Sequence, residues 1–589
     1  MRDLREIISR QLLPRVTRPS QYIGLETNAR CNDPAAAEVT VALAFPDAYT
    51  IGISHLGSQI LYHLLNDLPG VACDRTYCPL PDAEDIMRHE RIPLFGWESR
   101  LAIADFDVLG FSLSYEMQVT NVLTILDLAG IPLRSCDRTD DDPIVIAGDT
   151  LADSPEPLAD FIDIFLVGDG EAPLSELVEL VRQSKRRGAS REELLLAAAW
   201  RIPSAYVPRF YQPQYDDGRF AGLQRLRDDV PEAIDHARLP GLDHSPAITR
   251  PLVPLAEAVH ERVVIEIMRG CPNACRFCQA GFTRLPVRIR SVDEIVRIAR
   301  ESVAATGFRE ISLLSLSTSD YPHLDELIDR LTAEFASQHV SISLPSLRVD
   351  SQLQQLPKLT STVRKGGLTI AAEAGSERLR RAIGKGITEA DMLAGVRAAY
   401  EAGWRRVKVY FMAGLPGETD EDIEAIFDLC LRLSDTRRDV DGQRGAISAS
   451  VSWFVPKPHT PMQWSPMRDA DYFWSVRTRL RDRARRSPVQ FKFHRIEQSL
   501  LEATLCRGDR RMGDVIEAAW RNGARLDGWT EHFNNDAWMT AFAQADLDPA
   551  DYRREISTNA PTPWSHIHCP RRCDFLLAEY ERMQQALTD

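Results

Sequence analysis

The chain has 589 residues, 44% hydrophobic and 26% charged, with a formal net charge of −15. That length is too great for one hydrophobic core and implies about three domains, while the negative charge excludes a general nucleic-acid-coating protein. The N-terminal Met1-Arg2-Asp3-Leu4-Arg5-Glu6 leads into no apolar segment, and the longest apolar run, Leu194 to Trp200, is too short to span a bilayer, so a cytoplasmic protein without a membrane span is expected.

Residues 39–45 form an apolar, β-branched run ending at Pro46-Asp47, and Ile60, Leu61, Leu64 and Leu65 follow at helical spacing. Further buried-strand candidates are 107–113, 143–147 and 162–167, the last running into Gly168-Asp169-Gly170-Glu171. Strands alternating with helices predict an α/β fold with a doubly wound parallel sheet over residues 1–180. On such sheets ligands bind at the carboxyl ends of the strands, where Asp47, Ser112, Ser114, Gly148 and Asp149 gather. Residues 181–255 begin as a charged helix and turn proline-rich, which predicts an extended connection.

Residues 263–267 read as a strand running into Gly270-Cys271-Pro272-Asn273-Ala274-Cys275-Arg276-Phe277-Cys278. The C-x3-C-x2-C spacing places three thiolates on one loop and suits an iron–sulfur cube whose fourth iron has no protein ligand. With 11 Cys in 589 residues, chance gives a set three-Cys spacing on the order of 0.004 times. The odd number argues against a disulfide, and no fourth Cys or His follows closely enough to complete a zinc knuckle. Strands expected at 310–314, 340–344, 368–371, 406–412 and 446–454 alternate with helices at 292–305, 324–335, 392–402 and 421–433. These are six strand–helix steps, a pattern whose chemistry collects at the strands' carboxyl ends. Ser315 and Ser317 fall there, as do Glu373 and Gly375, the Gly414 to Glu418 turn, and Val455 to His459. Lys457, Arg348 and Lys408 are candidate partners for anionic groups.

Residues 466–589 read as mainly helical. Residues 468–495 hold nine Lys/Arg against three Asp/Glu, interleaved with Tyr472, Phe473, Trp474, Phe491 and Phe493. Basic residues mixed with aromatics serve RNA recognition, or else a solvated helix face that packs its aromatics on the core. Cys569 and Cys573 form a second pair, either ligands of an auxiliary cluster or metal, or two unrelated thiols.

The cysteine loop, with Phe277 before its last cysteine, resembles the signature of the radical S-adenosylmethionine (radical SAM) superfamily. End to end, the chain is similar to its members that carry an N-terminal B12-binding-like domain. The resemblance implies a Rossmann-like, cobalamin-binding-like domain at 1–180, a connection at 181–255, a partial (β/α)6 TIM-type core at 256–465, and a mainly helical C-terminal domain at 466–589. It implies that Cys271, Cys275 and Cys278 hold a 4Fe-4S cluster. It places S-adenosylmethionine against Phe277, Ser315, Ser317, Glu373, Gly375, Gly414 and Val455. Asp47, Tyr49, Gly148, Gly168, Gly170 and Glu171 become candidates for cobalamin.

The sequence also departs from the family. Asp47-Ala48-Tyr49-Thr50-Ile51-Gly52 has tyrosine where the D-x-H-x-x-G pattern has the histidine that ligates cobalt, a poor exchange for a metal ligand, and His55 is the candidate substitute. Gly148-Asp149 replaces a double glycine, and Ser315-Leu316-Ser317 replaces a Gly-Gly-Glu turn. A flavodoxin-like shell without a cofactor remains the alternative. The implied activity is reductive cleavage of S-adenosylmethionine to a 5′-deoxyadenosyl radical, fed by a low-potential donor of flavodoxin or ferredoxin type. Cobalamin-dependent methyl transfer is its extension. An RNA-modifying enzyme of the methylthiotransferase kind and a non-catalytic iron–sulfur sensor or scaffold are the competing readings.

Overall fold

Val39–Phe45 (β1) is buried along its whole length, as a strand covered on both faces must be. In this computed structural model, which describes residues 1–344 and 368–588, β1 is joined by Val71–Tyr77 (β2), Val108–Ser112 (β3), Ile144–Gly148 (β4), Ile164–Leu166 (β5) and Ala205–Tyr206 (β6). The sheet order is β2-β1-β3-β4-β5-β6, with only β6 antiparallel. Leu56–Asp67 (α1), Val119–Ala129 (α2) and Glu171–Arg187 (α3) pack on it. The expected doubly wound sheet is present. Its edge strand β2 escapes a hydrophobicity reading because Asp74, Arg75 and Thr76 interrupt it, yet all three are buried. Asp74 accepts the Glu98 and Ser99 amides at 2.9 Å each, and the Arg75 guanidinium pairs with Glu26 and Glu98. Buried polar groups are tolerated where each is bonded.

The proline-rich stretch is more regular than composition suggests. Helix Arg191–Arg201 precedes β6, Tyr211–Asp216 and Arg219–Arg225 form a hairpin, and Ile234–Asp235 pairs with Ile567–His568.

A second set of parallel strands follows: Val263–Glu266 (β7), Glu310–Leu314 (β8) and Ser341–Ser343 (β9) in one sheet, then Leu368–Glu373 (β10), Arg406–Ala413 (β11), Ala446–Trp453 (β12) and Val489–Phe493 (β13) in another. The helices between them are Val292–Thr306 (α4), Leu324–Phe335 (α5), Glu389–Glu401 (α6), Asp420–Asp435 (α7) and Ala470–Ala484 (α8). Reciprocal caps fix where two of them begin: Thr388 with Asp391 at α6, and Thr419 with Asp422 at α7. Arg348 lies outside the described residues.

Residues 466–589 do not form one helical unit. α8 and β13 continue the parallel sheet past residue 465, since Val489, Phe491 and Phe493 alternate with Gln490 and Lys492 and turn the apolar side inward. Met512–Arg521 (α9) and Asn535–Gln544 (α10) share the core of the N-terminal sheet. There Trp520 donates to Thr124 at 3.0 Å and Thr120 donates to Asp527 at 2.7 Å. The last helix, Cys573–Thr588 (α11), packs Leu576, Tyr580 and Met583 against Phe282 and Leu379 beside the cysteine loop. Among the described residues no helix is long and apolar enough to cross a membrane.

Candidate functional site

β7 delivers the chain to Arg269, and Gly270 turns it with φ of 89°. A Cβ there would lie 2.5 Å from the Arg284 carbonyl oxygen, so the turn into the cysteine loop requires glycine. Cys271, Cys275 and Cys278 are all partly exposed. The loop is held from several sides. The Cys278 amide donates to the Cys275 carbonyl at 2.9 Å, and the Arg276 amide to the Ile383 carbonyl at 2.9 Å. The Arg276 guanidinium reaches Glu579 at 3.0 Å and the Ala382 carbonyl at 2.7 Å. Asn273 Nδ2 donates to Asp320 at 2.6 Å and lies 3.5 Å from Cys271 Sγ.

Glu373 ends β10 with a positive φ of 68° at a shift in register, a strained setting for a residue with a side chain. Its carboxylate lies 3.4 Å from Lys385 Nζ. Burial raises the pKa of Glu373 and Lys385 opposes it. Burial also pushes the free Cys275 thiol up to about 11, again against Lys385, with the other two thiols and Glu373 adding to the rise. Three cysteines, a carboxylate and a lysine thus share one electrostatic neighbourhood. Lys385 is the member that sequence reasoning missed, and its only signal is a lysine set between Gly384 and Gly386.

The other S-adenosylmethionine candidates have the following surroundings. Phe277 is partly buried against the apolar cluster that includes Phe282, Ala374 and Leu415. Ser315 Oγ lies 2.9 Å from Thr318 Oγ1, and Ser317 donates to Asp320 at 2.6 Å. Val455 packs on the β10–β13 core. Gly375 serves close packing, since a Cβ would meet the Ile426 amide nitrogen of α7 at 2.4 Å. Gly414, at φ of 90°, faces the Phe473 ring, and its amide donates to Glu418 at 2.6 Å.

Glu418 carries a measurable consequence. Burial pushes its pKa from 4.5 up to about 7, against the Tyr472 hydroxyl and the Gly414 amide that donate to it. A folded value above the unfolded one means the native state holds the extra proton, so this contribution is full below about pH 4.5 and is lost as pH rises through about 7. The difference amounts to roughly 3 kcal/mol. Glu418→Gln keeps an acceptor for both donors and should flatten that loss, measured as the difference in urea midpoint between about pH 5 and about pH 8. An unchanged difference would place the titration elsewhere.

Between the carboxyl edge of the N-terminal sheet and the cysteine loop lies a cavity of about 360 Å³. Its walls include Leu43, Gly110, Ile146 and Leu166 of the strands, Ile60 and Leu61 of α1, and Arg269, Gly270 and Ser315 of the core. Of the cobalamin candidates, Gly148, Gly168, Gly170 and Glu171 line it. Asp47 and Tyr49 do not. Tyr49 is buried, donates to Glu26 at 2.8 Å and sits edge-on to Tyr77, and Asp47 accepts from Trp529 at 2.8 Å. His55 lines the cavity instead. It caps α1 by accepting the Ser58 amide at 3.2 Å through Nδ1, and its Nε2 lies 3.5 Å from Asp149. Burial lowers its pKa, with Asp149 opposing, so the imidazole is neutral near pH 7.

Asp169 and Glu171 reach out of their turn and grip the core. Arg269 meets Asp169 and Glu171 at 2.9 Å each, as well as Glu266 on its own strand, and Arg288 meets Asp169 at 2.5 Å. Lys457 is likewise an internal partner, 2.5 Å from Glu116 and 2.8 Å from Glu502. Lys408 is exposed on β11. Much of the basic C-terminal stretch is paired within the chain: Arg479 with Asp420, Arg483 with Asp428, and Arg510 with Glu156. These contacts fit the solvated, core-packing face better than an RNA-gripping one.

Residues 57–208 match the family of N-terminal segments of radical SAM proteins, and residues 265–430 match the radical SAM superfamily. An uncharacterised protein of Methanocaldococcus jannaschii, MJ0966, is 25% identical over 81% of this chain and 90% of its own length. The ribosomal protein uS12 methylthiotransferase RimO of Moorella thermoacetica is 26% identical over 50% of this chain and 69% of its own. Among solved structures, the radical S-adenosylmethionine methyltransferase TsrM from Kitasatospora setae, with cobalamin and a 4Fe-4S cluster bound, aligns with a TM-score of 0.47 at 13% identity, over 93% of this chain and 99% of that one.

Proposed function

Because the chain belongs to the radical SAM superfamily through residues 265–430, we propose that it is a radical enzyme that cleaves S-adenosylmethionine reductively and holds cobalamin in the cavity beside its cysteine loop. The observation that carries this reading is the convergence of three cysteines with Glu373 and Lys385, next to a cavity walled by the residues that lead into the same loop. The donor set fits the cluster, since three thiolates leave one iron open. The cavity fits part of a corrinoid: its walls are mostly apolar, Gly110, Gly148 and Gly170 leave room for a flat ring, and a neutral imidazole is present at His55. When bound, the cluster supplies the electron that splits the sulfonium bond and cobalamin supplies a methyl carrier.

The chain's own residues position the reactants. Glu373 would accept from both ribose hydroxyls of the nucleoside, and Lys385 favours its ionised form. Phe277 closes the apolar side. His55, rather than Tyr49, would hold cobalt through Nε2, in the tautomer whose Nδ1–H turns to the Ser58 hydroxyl 2.8 Å away instead of accepting the Ser58 amide. A low-potential donor of flavodoxin or ferredoxin type delivers the electron.

The test is anaerobic purification with cobalamin supplied, quantification of iron, sulfide and cobalt, and assay for 5′-deoxyadenosine after reduction. Product and stoichiometric cobalt are expected. Protein with full iron and sulfide that forms no 5′-deoxyadenosine would defeat the reading. For His55→Ala, the electron paramagnetic resonance spectrum of bound cob(II)alamin should lose its nitrogen coupling. An unchanged spectrum would remove His55 from cobalt.

A further inference from the structure

Outside the cysteine loop, one cluster among the described residues has the chemistry of a metal site. Asp153 follows β4, His236 lies beside the closing turn of the N-terminal sheet, and Cys569 follows the strand residues Ile567–His568. All three are buried, and one ligand atom from each lies within 4.8 Å of the others. They are far apart in sequence. The pairing of Ile234–Asp235 with Ile567–His568 brings the second and third together. The first is fixed when its carbonyl accepts from His459 Nε2 at 2.6 Å.

The hydrogen bonding of the cluster is incomplete. Both carboxylate oxygens of Asp153 and both ring nitrogens of His236 are buried without a hydrogen-bond partner. His236 Nε2 is 3.3 Å from Asp153 Oδ1, but the two are not aligned as a hydrogen bond. The other face of the ring is closed, since a Cβ at Gly168 would lie 2.6 Å from His236 Nδ1. Buried polar atoms left without aligned hydrogen bonds are costly, and the 3.3 Å approach of His236 to Asp153 relieves only part of that cost. So many unpaired atoms at one point call for an occupant.

We propose that Asp153, His236 and Cys569 bind a divalent zinc-like cation, a second metal site separate from the cysteine loop. Thiolate, imidazole and carboxylate together suit a borderline-soft ion. Tetrahedral zinc with bonds of roughly 2.0–2.3 Å sets its ligand atoms about 3.5 Å apart, so shifts of about an ångström close the triad. The two anionic ligands balance the charge of the ion. The Arg284 guanidinium lies beside the cluster and places its own hydrogen-bond contacts on Asp149 and Thr150. The fourth position goes to water or to the second Asp153 oxygen. The role is structural: the ion ties the N-terminal sheet, the connection and the segment before α11 together. Cys573, four positions after Cys569, is exposed and takes no part.

The test is elemental analysis of full-length protein purified without chelators. Zinc stoichiometric with the chain, in addition to iron, is expected. It should persist in the triple variant Cys271→Ala, Cys275→Ala, Cys278→Ala and in Cys573→Ser, and fall to background in His236→Ala and Cys569→Ser. Should those two variants fail to fold, cobalt(II) exchanged into the triple variant decides the matter. A thiolate-to-cobalt charge-transfer band supports the site, and its absence overturns it. Zinc at background in unmutated protein, or zinc lost only with the three loop cysteines, would also overturn it.

Discussion

Cys275→Ala is expected to abolish both the iron–sulfur absorbance and the formation of 5′-deoxyadenosine. Among the three cysteines its free thiol is the one raised to about 11, with Lys385 the chief opposing influence. Its backbone carbonyl also accepts the Cys278 amide across the loop. Removing the sulfur leaves two ligands for a cube that needs three. Groups that act as a unit fail together, so the loss should exceed ~10³-fold. The backbone contacts of the loop do not involve the sulfur, so far-ultraviolet circular dichroism should be unaltered. Retention of the cluster with normal cleavage would show that the loop is not the catalytic centre.

The second large effect is expected at Asp169. It accepts from Arg269, from Arg288 and from the Leu239 amide at 2.8 Å. Burial pushes its carboxyl up, but Arg269, that amide and Arg288 outweigh this and leave it lowered. Asp169→Ala strands the Arg288 guanidinium, which is mostly out of water, and takes from Arg269 one of its three carboxylates; breaking a buried pair from one side costs about 3–5 kcal/mol. The urea midpoint should fall by the corresponding amount. Because Arg269 immediately precedes the Gly270 turn, iron occupancy should fall with it. Asp169→Asn, which keeps an acceptor, should recover part of both. A stable Asp169→Ala protein with full iron would show that the N-terminal turn does not brace the loop.

The sequence was most legible where the signal is local. Three cysteines of a rare type within eight positions need no long-range knowledge, and strands such as β1 and β11 announce themselves as β-branched runs. Legibility fails where polar residues are buried through distant partners. β2 carries Asp74 and Arg75 because Glu26 and Glu98 fold over them. Tyr49 stands near a ligand pattern in sequence, yet Glu26 and Tyr77 turn it into the core. Glu171 reads as part of a cofactor turn, and its nearest cation is Arg269, 98 residues away. The C-terminal stretch misleads for a related reason: its arginines look free until the acids of α7 are placed beside them. Cys569 stands out as a candidate ligand, but its grouping with Asp153 and His236 could not be read, since each lies hundreds of positions or a separate element away from the others.

The contact between Arg276 and Glu579 bears on how the protein is made. The two residues are 303 positions apart, so a growing chain exposes its cysteine loop long before α11 exists to cover it. At about 5–20 residues per second the interval is roughly 15–60 s. During that time three thiols are open to oxygen and to stray metal ions, and the backing that Ile383 and Ala382 provide arrives well before the lid. The last helix therefore adds the Glu579 brace on Arg276 only at the end of synthesis, and truncating that helix would leave the loop without it.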